Sequence, residues 1–158
     1  MSAESGLRGH LFELAGELGI VVVERAASRP RSYLHERRIV TAPIADVVSY
    51  YVALHELGHV VTDGPDTMAS GPRRRREPRV VAARLLLGEA RAWGWALDVA
   101  LVAPDHPTQL HMLEAWTTYV LAGGGTVATA GIELVAAEHR GEYAATWDRI
   151  ARNWTWEP

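Results

Sequence analysis

One helical stretch constrains this chain more than any other feature. Residues 46–62 run from Asp46 through an almost unbroken apolar series to Thr62, with Gly64-Pro65 just beyond. Asp46 has the chemistry of an N-cap and the Gly-Pro pair that of a stop, so the pattern predicts a helix. Within it stand His55 and His59, four residues apart, with Glu56 beside the first. Residues four apart lie one turn above each other on a helix, so both imidazoles project from one face. Val48, Tyr51 and Val52 share that face, which therefore points inward. Imidazole nitrogens on an inward face need partners, because a buried polar group without one is costly.

The spacing is that of H-E-x-x-H. Two ring nitrogens one turn apart can close on a single zinc ion at about 2.0–2.1 Å each. Glu56 lies about 100° further round the helix and reaches past the metal rather than binding it. There it can act as a general base toward a water on the metal. The alternative is a surface helix that happens to carry two histidines, and the apolar surroundings argue against it.

A catalytic zinc wants three protein ligands and an open fourth position. The extended pattern H-E-x-x-H-x-x-G-x-x-H fails, since Thr62 and Pro65 occupy its last two fixed positions. Asp63 and Asp66 fall at or beyond the helix end and read as a polar terminus and turn. Glu89 is the better candidate. In a helix predicted over 80–102, Arg84, Arg91 and Asp98 recur every seven residues as a solvated stripe. Glu89 lies about 140° from Arg84, on a side shared with Leu85, Leu86, Ala92, Trp93, Ala96 and Ala100. A carboxylate among such neighbours must be neutralised, paired or bound to a cation. A core salt bridge to arginine would meet the same need.

Around these two helices the chain is ordinary. Its 158 residues suit one domain, 1–158, able to bury a core without cross-links. Cysteine is absent, which removes disulfides, thiolate zinc sites and a thiol nucleophile, and leaves histidine and carboxylate as the donors for any zinc. The net charge of −3 gives no reason to expect direct nucleic-acid or membrane binding. The opening residues are amphipathic and interrupted by charge, unlike a signal peptide, and no apolar stretch reaches spanning length, so a cytoplasmic location is expected.

Leucines at 7, 11, 14 and 18 predict a leading helix closed by Gly19, and Ile20–Glu24 reads as a strand. Arg31–His35 and Arg38–Ala42 read as two further strands of a small sheet. After the second long helix come three more expected helices, at 107–121, about 129–139 and 142–153. The fold class expected is α+β: a small N-terminal β-sheet packed on the H-E-x-x-H helix, followed by a helical C-terminal half.

Over residues 7–104 the chain resembles the ImmA/IrrE family of gluzincin-type metallopeptidases. The resemblance rests on Leu18-Gly19-Ile20 after the leading helix, Arg38-Ile39-Val40, Tyr51-Val-Ala-Leu leading into His55-Glu56-Leu57-Gly58-His59, and Glu89-Ala-Arg-Ala92-Trp-Gly-Trp95-Ala96. The last is similar to the family's E-x-x-A-x-x-F-A helix, with Trp95 at the aromatic position, and Pro104 closes it. The resemblance implies a zincin-like fold, Zn2+ held by His55, His59 and Glu89, and catalysis by Glu56. It further implies hydrolysis of a protein substrate, in that family often a helix-turn-helix repressor or regulator encoded nearby on a mobile element. The Arg73–Arg76 run and the helical extension 105–158 depart from the pattern.

A second functional expectation is a catalytically silent zincin-fold module that sequesters a regulatory partner, with the arginine run and the C-terminal helices as its docking surface. The intact Glu56 argues against it. A third is another kind of zincin, with His106 or His111 as third ligand. His106, His111, Tyr119, Tyr33 and Tyr51 are candidates to stabilise an oxyanion, and none has a spacing that singles it out. His10, His35 and His139 have no evident partner. The arginine run reads as a solvated loop, and Gly123-Gly124-Gly125 as a helix–helix turn.

Overall fold

The leading helix ends in a glycine stop that sets the direction of the first strand. In a computed structural model, which describes residues 3–26, 28–63, 78–122, 141–142, 145–146 and 148–150, α1 spans Ala3–Glu17. Gly19 follows at φ 65°, a left-handed conformation that glycine adopts without a Cβ clash. Ile20 N donates to Ala15 O (2.8 Å) and Gly19 N to Gly16 O (3.1 Å). These are the two bonds of a Schellman closure. Leu7, Leu11 and Ala15 form the buried stripe of α1, whereas Leu14 and Leu18 are half-buried.

Three short strands follow: β1 (Val21–Glu24), β2 (Arg31–Tyr33) and β3 (Arg38–Thr41). Their order in the sheet is β1-β3-β2. Parallel pairing sets Val22 opposite Ile39, and antiparallel pairing sets Ser32 opposite Ile39. The central strand carries the burial, with Ile39, Val40 and Thr41 all buried. Arg8 forms a fork to the Glu24 carboxylate, with a closest approach of 2.8 Å, and holds it below the usual carboxylate range.

Helix α2 (Val47–Thr62) begins where expected. Ser49 N donates to Asp46 Oδ1 (2.7 Å), and Asp46 N donates back to Ser49 Oγ (3.0 Å). Orphan amides at the helix start are thus satisfied reciprocally. α2 packs on β2 and β3, and α1 packs on α2 and β1. Tyr50, Ala53, Leu54 and Leu57 are buried on α2. Helices α3 (Pro78–Val99) and α4 (His106–Ala122) complete the described elements. The α+β expectation is met by this small sheet in a mainly helical chain. No helix among the described residues is long and apolar enough to cross a membrane.

The chain divides into two compact units, Met1–Thr62 with Ala92–Thr108, and Asp63–Arg91 with Gln109–Pro158. In the first, two adjacent tyrosines of α2 secure the segment that follows α3. Tyr51 Oη donates to Val102 O (2.7 Å), and Leu101 N donates to Tyr50 Oη (2.9 Å). Tyr50 Oη also lies 2.8 Å from His10 Nδ1 on α1. In the second, Arg91 Nε donates to Glu142 Oε2 (2.8 Å) and Thr146 Oγ1 to Ala90 O (3.1 Å). The expected helix at 142–153 is seen in part, at 141–142, 145–146 and 148–150. The expected helix at 129–139 lies outside the described residues, as do the Arg73–Arg76 run and the glycine triplet at 123–125.

Candidate metal centre

The periodicity of α2 places His55 and His59 on its buried face, 8 % and 9 % exposed. Of the residues expected to share that face, Tyr51 is fully buried and Val48 and Val52 are half-buried. The two imidazoles meet edge to face, with centroids 4.5 Å apart and planes at 73°. One helical turn separates them, as the four-residue spacing requires.

Glycine at position 58 lets α3 come close. A Cβ built on Gly58 would stand 2.6 Å from Ala92 O and 2.9 Å from its Cα. Only a residue without a side chain tolerates that approach, so this contact fixes the separation of the two helix axes. Trp93, the next residue, stacks on His55 with centroids 4.0 Å apart and planes at 20°.

Glu89 stands one turn before Trp93 on the same continuous helix. It is 4 % exposed, within the buried series Leu86, Leu87, Ala90, Trp93 and Ala96. Leu85, expected on the apolar face, is instead 43 % exposed. The buried stripe is centred on 86, 89–90, 93 and 96, which the i, i+3, i+4 rule accommodates without position 85. The solvated stripe holds where it is described, with Arg91 half-exposed and Asp98 exposed.

Ligand-capable atoms of His55, His59 and Glu89 all lie within 4.8 Å of one another. A tetrahedral ion with bonds of about 2.0–2.1 Å holds its donors about 3.4 Å apart, a separation inside that limit. Two neutral imidazoles and one carboxylate also suit a divalent cation by charge, since the ion neutralises a glutamate that burial otherwise penalises. The donor set therefore fits a metal ion. Glu56 is beside the group rather than in it. Its Oε1 lies 4.0 Å from His55 Nδ1, and its side chain is 13 % exposed.

Among the described residues this is the one cluster of three or more histidine, cysteine, aspartate or glutamate side chains able to hold a metal. His106 and His111 are exposed on α4 and outside the cluster. Asp63 follows the end of α2 and is outside it as well, while Asp66 lies beyond the described residues. Tyr51 spends its hydroxyl on Val102 O. Tyr33 lies under the Arg38 guanidinium, 4.3 Å from carbon to ring centroid. His35 is exposed, and His10 has the partner the sequence did not suggest, Tyr50. His139 and the side chain of Tyr119 lie outside the described residues.

Two features of the site were not read from the sequence: the Gly58–Ala92 approach and the Trp93–His55 stack. The signal for the first was available as a glycine inside an otherwise apolar helix, which has a packing reason when it costs helix propensity.

The fold and site together define a candidate mononuclear metal centre, carried by two helices that contribute two histidines and one glutamate. No protein-family model, curated protein or solved structure matches this chain.

Proposed function

We propose that this protein is a zinc-dependent endopeptidase that hydrolyses a protein substrate. The observation that carries the reading is the convergence of His55, His59 and Glu89 within 4.8 Å, with the Glu56 carboxylate adjacent. Three protein donors leave a fourth position for water or substrate, the arrangement of a catalytic rather than a structural zinc. An all-carboxylate oxygen site would suit magnesium or calcium better; the two imidazoles favour zinc.

Bound there, zinc supplies Lewis acidity toward a carbonyl oxygen and lowers the pKa of water. The chain's own residues do the rest. His55 and His59 are held by the α2 backbone at the spacing the ion needs, and Glu89 reduces its charge. Glu56 accepts the proton of the attacking water and delivers it to the leaving amine, as general base and then general acid. It stands next to the donors and not among them, 4.0 Å from His55 Nδ1.

The likeness of residues 7–104 to the ImmA/IrrE pattern supports the same reading and extends it to the substrate class, a transcriptional repressor or regulator. Zinc-loaded protein is incubated with the proteins encoded beside its gene, with Glu56→Gln in parallel. Cleavage by the wild type and its loss in Glu56→Gln support the peptidase. Equal binding of a neighbour by both, with no cleavage, replaces it with a silent zincin-fold module.

A further inference from the structure

Trp93 is a buried indole with an unusual position. It is 1 % exposed, and its ring lies nearly parallel to His55, 4.0 Å away at 20°. The indole Nε1 has no hydrogen-bond partner among the described residues. A leucine or phenylalanine would fill a core position without burying an unpaired N–H, which ordinarily destabilises. What indole offers in exchange is the most electron-rich face among the side chains.

We propose that Trp93 is a positioning residue for the metal, acting through His55; this rests on the metal-centre reading above. An imidazole that donates to a divalent ion becomes electron-poor. The indole face within 6 Å of it is then attracted more strongly than it is to the free ring, a cation–π preference for the loaded state. The near-parallel stack also restricts rotation of the His55 ring, so less side-chain freedom is lost when the ion binds. His59 meets His55 at 73° and so does not stack on its ring. Trp93 is set against His55 by the same helix crossing that brings Ala92 to Gly58, so the stack and the crossing are geometrically coupled.

The test measures zinc affinity by competition with a chromophoric chelator, and records cobalt d–d bands. Wild type, Trp93→Phe and Trp93→Leu are compared, each checked for folding by circular dichroism. The expected result is a small loss for Trp93→Phe and about a tenfold loss for Trp93→Leu, with altered cobalt bands. Because Trp93→Leu can fail to fold, a second arm keeps the shape unchanged. Tryptophan is replaced biosynthetically by its mono- and trifluoro analogues in wild type and in Trp93→Phe. Affinity is expected to fall stepwise with fluorination in the wild type and to stay constant in Trp93→Phe. Fluorination that leaves wild-type affinity unchanged, or lowers it equally in both, overturns the role of Trp93 while the metal centre stands. Wild type that binds neither zinc nor cobalt overturns the metal centre, and this inference with it.

Discussion

Gly58 and Ala92 are in backbone contact: a Cβ added at Gly58 would meet Ala92 O at 2.6 Å. The obstacle is main chain on a neighbouring helix, which cannot rotate away as a flexible side chain would. Gly58→Ala therefore forces α2 and α3 apart. We expect a loss of about 1–3 kcal/mol in urea unfolding, together with weakened zinc binding measured by competition. Ala92→Gly, which removes only the side chain of the other partner and leaves its carbonyl in place, does not rescue it.

Glu56 and Glu89 separate by their chemistry. Glu56→Gln keeps the shape and all three donors, so metal content stays at the wild-type level. On the proposed peptidase reading, hydrolysis is expected to fall by about 10²–10⁴-fold, the usual range for a lost general acid–base. Glu89→Ala removes a donor, and metal content falls. A variant series read by metal analysis and cleavage together distinguishes the two roles.

Metal removal destabilises the protein if folded chain is the form that holds the ion. At free zinc about 1,000 times the dissociation constant, binding adds about 4 kcal/mol. Thermal unfolding with and without chelator checks this: the midpoint drops on chelation in wild type and changes little in His55→Ala.

Two groups set opposite pH limbs of stability. Hydrogen bonds from Ser49 hold the Asp46 carboxyl below its ordinary 3.8. Its contribution is therefore full above that value and is lost as pH falls through the lower folded-state value. Asp46→Ala costs about 1 kcal/mol near neutrality, and the gap from wild type closes in acid. Burial pushes the Tyr50 hydroxyl above its ordinary 10.0, so its contribution is full below pH 10 and declines above it. Tyr50→Phe leaves His10 Nδ1 and Leu101 N without their 2.8 and 2.9 Å partner. It costs about 1–3 kcal/mol and flattens the alkaline limb. Denaturant midpoints across pH measure both.

The sequence displayed the parts of this structure that depend on local periodicity. The α2 boundaries followed from Asp46 and the Gly-Pro stop, and the histidine pair from a four-residue spacing. Glu89 was legible because a carboxylate on a helix's apolar side contradicts its surroundings. Leu85 was misplaced because helical arithmetic fixes the direction of a residue but not how far the neighbouring surface extends to cover it. The leucine spacing at 7, 11, 14 and 18 marks the α1 helix, with Leu14 and Leu18 half-buried at the edges of a stripe that Leu7, Leu11 and Ala15 form. The Gly58–Ala92 approach, the Trp93–His55 stack and the His10–Tyr50 and Tyr50–Leu101 bonds join residues 34 to 51 apart in the chain, where no spacing rule reaches. They follow from how α1, α2 and residues 92–101 pack within the first compact unit.

The central claim is that two imidazoles of α2 and the Glu89 carboxylate of α3 hold one divalent ion. Metal analysis of protein purified without chelator tests it most directly, alongside His55→Ala and Glu89→Ala. The account predicts about one zinc per wild-type chain and a marked loss in both variants. Wild-type protein that carries no metal and takes up none from added zinc, or a Glu89→Ala variant that retains it fully, would contradict the account.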